Sequence, residues 1–248
     1  MDETKAFTME IAGLAGRVYP LFSSTKDYCR AYLTNRAPDF SVTVTPEDLR
    51  FEQAELDKEA VEEGFRLRVF TDPFLERQAI QRSFAEALLQ RGVLMLHGSA
   101  IAVDGYGYLF TAKSGTGKST HTRLWREMLG GRAVMINDDK PFLRPTEEGF
   151  LLCGAPWSGK HGLECNLSVP LKGICVLERG DENRICPLTQ AEALPMLLHQ
   201  SYQPLTEEGT EIYCRSIENL AIHTPLWQLA CTKDLSAAEL CYRTMSQA

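Results

Sequence analysis

A chain of 248 residues with 44% hydrophobic and 24% charged residues sits near the soluble globular average and is long enough for one large domain or two small ones. Its net charge of −7 argues against nucleic acid as a main partner, because phosphate backbones call for a basic surface. No apolar run approaches the roughly 20 residues that span a bilayer, and the polar start MDETKAFTME lacks the basic and apolar regions of a signal peptide, so a cytoplasmic protein without a membrane partner is expected.

Residues 7 to 70 read as short strands broken by turns: FTMEIAGLAGRVYPLF, then FSVTVTP with period-two alternation, then GFRLRVF. The acidic PEDLRFEQAELDKEAVEE between the last two reads as an exposed, partly helical connection. From Pro73 to Arg91, Leu75, Ile80, Phe84 and Leu88 recur at helical spacing, with Gly92 at the carboxyl end. We therefore expect a β-rich region over 1–72, of unassigned role, and a second domain over 73–248.

VLMLHGSAIAV is strand-like, Asp104-Gly105 is a two-residue hairpin signal, and YGYLF is the return strand. That return strand feeds AKSGTGKST, residues 112 to 120. The general phosphate-loop pattern is G-x-x-x-x-G-K-[ST], here with Ala112 at its first position. Gly115 and Gly117 let backbone N–H groups converge on one point, and the following helix adds its own amino-terminal amides. Ser114, Gly115, Thr116, Gly117, Lys118, Ser119 and Thr120 are the expected nucleotide-binding residues. Lys118 is placed to reach the β- and γ-phosphate oxygens, and Ser119 to coordinate Mg²⁺.

After the loop, Leu124, Trp125, Met128 and Leu129 form one helical stripe from Thr120 to Leu129, closed by Gly130-Gly131. AVMIN is a buried strand ending at Asp138-Asp139. Adjacent carboxylates there can divide labour, one holding Mg²⁺ and the other taking a proton from an attacking hydroxyl; a solvated turn is the plainer alternative. Farther on, GFLLCGAPW is a strand and turn, KGICVLERG a strand, Thr189 with Glu192 a helix-capping box, and TPLWQLAC a strand, with a last helix from Ser236.

Other polar residues are ambiguous from their types alone. His97 in LHGS is either a hydrogen-bonded turn residue or an active-site group. GAPWSGKHG, with Lys160 and His161, is either a second anion-contacting loop or a turn anchored by its tryptophan. His121 and Arg123 lie either on a solvated helix face or against phosphate, while His199 and His223 read as packing residues. The eight cysteines (29, 153, 165, 175, 186, 214, 231, 241) show no C-x-x-C and no nearby histidine, and read as buried reduced thiols.

Taken together, His97, the hairpin, AKSGTGKST and Asp138-Asp139 resemble in order and spacing the catalytic domain of HPr serine kinase/phosphorylase, within the phosphoenolpyruvate-carboxykinase-like phosphate-loop fold. LHGSAIAVDG, NDDKP and GAPWSGK are similar, more narrowly, to HPr-kinase-like proteins, including kinases that act on precursor peptides in lasso-peptide clusters. The resemblance covers about residues 92 to 230. It implies an α/β fold whose P-loop domain has a mixed, largely antiparallel sheet, with a smaller β-rich amino-terminal region. It implies Lys118 on the phosphates, Ser119 and Asp138 at the metal, Asp139 as the base that deprotonates a serine hydroxyl, and His97 as their active-site partner.

The chain departs from that family at Thr120, where an acidic residue follows the loop serine. The glycine-rich signature segment with its metal-binding glutamate has only Glu164 in GLECNL as a candidate. The late catalytic arginine has only Lys160, which joins the expected nucleotide-binding residues. These departures weigh against HPr itself as acceptor and against the reverse phosphorolysis. The expected activity is a Mg²⁺/ATP-dependent kinase acting on a hydroxyl of a peptide, small protein or small metabolite, in a chain that could form a homo-oligomer. The alternatives are a nucleotide-dependent switch with no acceptor, and a carboxykinase-type enzyme, against which the chain's length argues.

Overall fold

The computed structural model describes residues 2–62, 64–159 and 161–247. The chain divides into two compact units, Met1–Ala87 and Leu88–Ala248. Among the described residues no helix is long and apolar enough to cross a membrane.

The first unit opens with a hairpin of β1 (Phe7–Ile11) and β2 (Leu14–Tyr19). Its two turn residues, Ala12 and Gly13, both have positive φ (51° and 82°), the primed geometry that matches strand twist. A short helix α1 (Ser24–Tyr28) leads to β3 (Phe40–Thr43), which pairs parallel to β2. Helix α2 (Pro46–Glu62) follows a Thr45–Asp48 capping box, with Pro46 at its first position. Helix α3 (Asp72–Leu89) buries Glu76, whose carboxylate accepts from the Leu21 and Phe22 amides and the Thr25 hydroxyl. Its Phe84 meets the Phe40 ring edge-on at 4.9 Å.

Two expectations for this unit are corrected. The acidic connection is a continuous helix, because its capping box nucleates it and Leu49 and Glu52 are buried; Glu63 lies outside the described residues. GFRLRVF is not a paired strand. The apolar members of its alternation, Phe65, Leu67 and Val69, are 62%, 61% and 96% exposed, so no buried face fixes a register. The Gln53 side chain holds the segment instead, donating to Arg68 O at 2.8 Å and accepting from Phe70 N at 3.0 Å.

The second unit runs β4 (Leu94–Met95), β5 (Ser99–Val103), β6 (Tyr106–Thr111), α4 (Lys118–Leu129), β7 (Ala133–Asn137), β8 (Phe142–Thr146), β9 (Gly149–Cys153), β10 (Ser168–Arg179), β11 (Arg184–Pro187), α5 (Gln190–Gln200), α6 (Glu207–His223), β12 (Leu226–Cys231) and α7 (Leu235–Ser246). One mixed sheet has the order β4-β8-β9-β10-β6-β5-β7, with β12 on β10 and β11 on β12. β10 runs parallel to β6 and β12, and the other pairings are antiparallel.

Side-chain alternation makes this sheet the middle of three layers. Ala100, Ala102 and Leu109 join Leu197, Tyr213, Ile217 and Leu220 on the α5 and α6 face. Ile101, Val103, Tyr108 and Phe110 join Leu124, Trp125, Ala238 and Met245 on the α4 and α7 face.

VLMLHGSAIAV is not one strand. It breaks at His97-Gly98, because β4 pairs with β8 while β5 pairs with β6 and β7. Helix α6 and strand β8 were not foreseen. The buried-thiol expectation holds for Cys29, Cys153, Cys175 and Cys241, while Cys165 and Cys214 are exposed.

Candidate functional site

Strand order builds the site. β5 lies between β6 and β7, pairing Ser99 with Phe110 and Ala100 with Asn137. The ends of β6 and β7 therefore emerge on one sheet edge, about 10 Å apart by two strand spacings. The first carries the glycine-rich loop and the second carries Asp138-Asp139. His97, just before β5, sits between them.

The loop leaves β6 at Ala112 and enters α4 at Lys118. Gly115 and Gly117 have φ of 72° and 124°, which only glycine adopts cheaply. A Cβ at either would meet nothing within 4 Å, so the loop is open above both. Gly117 is the N-cap of α4 and no side chain caps the helix, which leaves its amino-terminal amides available to an anion. Lys118 Nζ donates to Ala112 O at 3.1 Å and Thr116 N to Lys113 O at 3.2 Å. Ser119 is exposed, and Thr120 is half-buried. These features fit a phosphate group.

At the end of β7, the fully buried Asn137 ties two loops together. Its Nδ2 donates to Ala155 O at 2.9 Å and Trp157 O at 3.0 Å. Its Oδ1 accepts from Asp139 N at 2.8 Å and Lys140 N at 2.7 Å. Asp138 is buried, and its Oδ1 accepts from Gly159 N at 2.7 Å. Burial raises the Asp138 pKa, the Gly159 amide opposes that rise, and the neighbouring Asp139 adds to it. The two carboxylates thus differ: Asp138 is enclosed, whereas Asp139 is 34% exposed.

Asp139 Oδ1 lies 3.5 Å from His97 Nε2. The His97 backbone is fixed on both sides, its N–H donating to Gln200 O at 2.6 Å and its carbonyl accepting from Thr111 Oγ1 at 3.0 Å. Gly98 N donates to Asp139 O at 2.9 Å, and a Cβ on Gly98 would lie 2.9 Å from Phe110 O, so only glycine fits. Burial, then the charges of Lys140, Lys118 and His199, push the His97 pKa down to about 3. His97 is neutral at physiological pH, and its approach to Asp139 is not an ion pair.

Several residues stand elsewhere than expected. His121 is on neither a solvated face nor a phosphate: it is buried, accepts from Trp125 Nε1 at 3.1 Å, and has its pKa pushed down to about 4 by burial. Arg123 pairs with Glu127 at 3.3 Å on the solvated face. His199 and His223 are exposed rather than packed. Trp157 is buried and anchors its loop, His161 and Glu164 are exposed, and Lys160 lies outside the described residues. Asn137 was missed, although an asparagine before two aspartates at a strand end is a side-chain-to-backbone turn signal.

The Hpr(Ser) kinase/phosphatase from Coxiella burnetii is similar at 12% identity and a TM-score of 0.35, over 62% of this chain and 99% of that one. No curated protein matches the chain in sequence. The family described as SynChlorMet cassette protein ScmC matches residues 75–235. That match spans the phosphate-loop candidate, the acidic pair and most of the mixed sheet, and the chain belongs to the ScmC family.

Proposed function

We propose that this chain is a Mg²⁺/ATP-dependent phosphotransferase that moves the γ-phosphoryl group to a hydroxyl of a peptide, small protein or small metabolite. One observation carries the reading: the open glycine-rich loop with Lys118 and the Asp138-Asp139 turn share a sheet edge, one strand apart, with His97 between them. Nucleotide binding calls for one metal-holding carboxylate, and a second one beside a histidine is more than it needs.

In this reading Ser114 to Thr120 bind the triphosphate through loop and helix amides, and Lys118 exchanges Ala112 O for phosphate oxygens. Asp139, the more exposed carboxylate, takes the acceptor's hydroxyl proton as that oxygen bonds to phosphorus and the bond to the ADP oxygen breaks. His97, neutral and backbone-fixed, holds the Asp139 side chain in place. Magnesium, when bound, neutralises phosphate charge, with Ser119 and Asp138 as its protein oxygen donors. Asn137 fixes the turn that carries both carboxylates and ties it to the Gly154–Gly159 loop, where Asp138 accepts from Gly159 N.

The test is label transfer from γ-labelled ATP with Mg²⁺ into an extract of the protein's own host, wild type beside Asp139→Asn. A labelled acceptor made by wild type alone supports the phosphotransferase. Nucleotide binding by both proteins with free phosphate as the only product would replace it with a nucleotide-dependent switch.

A further inference from the structure

Beyond the residues already described, one contact joins the glycine-rich loop to a neighbouring strand. β10 and β6 run parallel and, after a register shift between Leu171 and Gly173, stay paired up to Val176 opposite Thr111. There β6 turns into the loop, while β10 continues to Arg179. This overhang is supported on its other edge by β12, where Arg179 stands opposite Cys231 and Gly180 N donates to Cys231 O at 3.1 Å. Alternation places Arg179 on the face of Cys175 and Leu177, which is the α4 face that the loop enters. From there Arg179 Nη2 donates to Gly115 O at 2.7 Å.

The carbonyl it holds is the one most in need of fixing. Gly115 has φ of 72°, inside a turn closed by Thr116 N on Lys113 O. Lys113, Ser114 and Gly115 are exposed, so little packing selects their conformation. A glycine there can readily change hand, and a carbonyl turned into an anion cradle would repel phosphate. A charge-assisted hydrogen bond from a side chain mounted on a paired strand counters both effects. Among the described residues no carboxylate forms an ion pair with Arg179. Its charge is therefore not neutralised locally and adds to that of Lys118 at the loop.

We infer that Arg179 is a positioning residue for nucleotide phosphate: it pins the Gly115 carbonyl and holds the loop in its binding conformation. The inference rests on reading the loop as a phosphate cradle.

The experiment compares full-length wild type with Arg179→Met, Arg179→Lys and Lys118→Met. Mg-ATP binding is followed by calorimetry, and exchange of the amide hydrogens of residues 113 to 117 is followed without nucleotide. Arg179→Met should bind Mg-ATP about tenfold more weakly, the loss of one charge-assisted hydrogen bond. Its loop amides should exchange faster, while the melting temperature moves by no more than about 2 °C. Arg179→Lys should recover binding to within about threefold of wild type, since one donor suffices.

Wild-type binding and loop exchange in Arg179→Met, with binding lost in Lys118→Met, would overturn the inference and leave the phosphate-loop reading standing. A large fall in melting temperature without rescue by lysine would also overturn it, making Arg179 a support of the sheet rather than of the loop. Absence of nucleotide binding by wild type would remove both readings.

Discussion

The Asn137 side-chain oxygen accepts the backbone N–H of Asp139 at 2.8 Å, so the last residue of β7 sets the backbone from which the exposed carboxylate projects. The same side chain donates to Ala155 O and Trp157 O, leaving none of its hydrogen-bonding groups idle. Asn137→Ala should destabilise the protein by about 2–4 kcal/mol, since buried partners on two loops lose their bonds. Asn137→Asp should be worse, because its carboxylate would face two carbonyl oxygens. Urea unfolding of both variants checks this, and a loss under about 1 kcal/mol for alanine would contradict it.

Two glycines near the site should fail for different reasons. A Cβ on Gly154 would lie 1.9 Å from Cys165 O, a backbone atom that cannot step aside. Gly154→Ala should cost more than about 3 kcal/mol or prevent folding. Gly117→Ala meets no atom within 4 Å but must hold φ at 124°. It should fold with a penalty of about 1–3 kcal/mol and bind nucleotide poorly. Equal melting temperatures for the two variants would contradict the assigned seat of the Gly154 loop.

Acidification should weaken the protein through His97 and His121. Their pKa values in the folded state, about 3 for His97 and about 4 for His121, lie below the unfolded value. Between about pH 6.5 and 4 the unfolded chain binds more protons, so stability falls with falling pH, by about 1.4 kcal/mol per unit for each group. Asp138 works the other way: its raised pKa adds stability as pH falls. Unfolding midpoints measured from pH 7 to 4.5 should fall less steeply for His97→Gln and His121→Phe than for wild type. Parallel curves would contradict the assignment.

In the first unit, the Glu76 carboxylate serves three donors from the segment after β2. Glu76→Leu leaves the buried Thr25 hydroxyl and the half-buried Leu21 and Phe22 amides without this acceptor and should cost about 3–5 kcal/mol. Limited proteolysis should then cut the segment around Leu21 to Thr25 first. Unchanged resistance there would show that other contacts hold it.

Features written in short-range chemistry were legible in the sequence. Asp104-Gly105 gave its hairpin because the turn demands positive φ, and Thr189-Glu192 formed its capping box. The turn at Gly115 and Gly117 follows the same rule, both residues having positive φ. What tertiary pairing decides was not. Nothing local separates Leu94-Met95 from Ser99–Val103, because the break at His97 exists only where β4 and β5 choose different neighbours. GFRLRVF carries strand propensity but lacks a partner. His121 sits beside exposed Ser119 in sequence, yet its helix face is the one that packs on Phe110.

β10 pairs with β9 through Ser168 to Pro170, with β6 through Leu171 to Val176, and with β12 through Ile174 to Arg179. One strand thereby joins the β4-β8-β9 side of the sheet to the β6-β5-β7 side and to β12, and the two sides cannot part while it stays in place. The second unit should therefore melt as a single cooperative block. Its slowest-exchanging amides should fall at Ile174 to Leu177, where β10 is paired or packed on all sides, and frayed subdomains should not accumulate before the global transition.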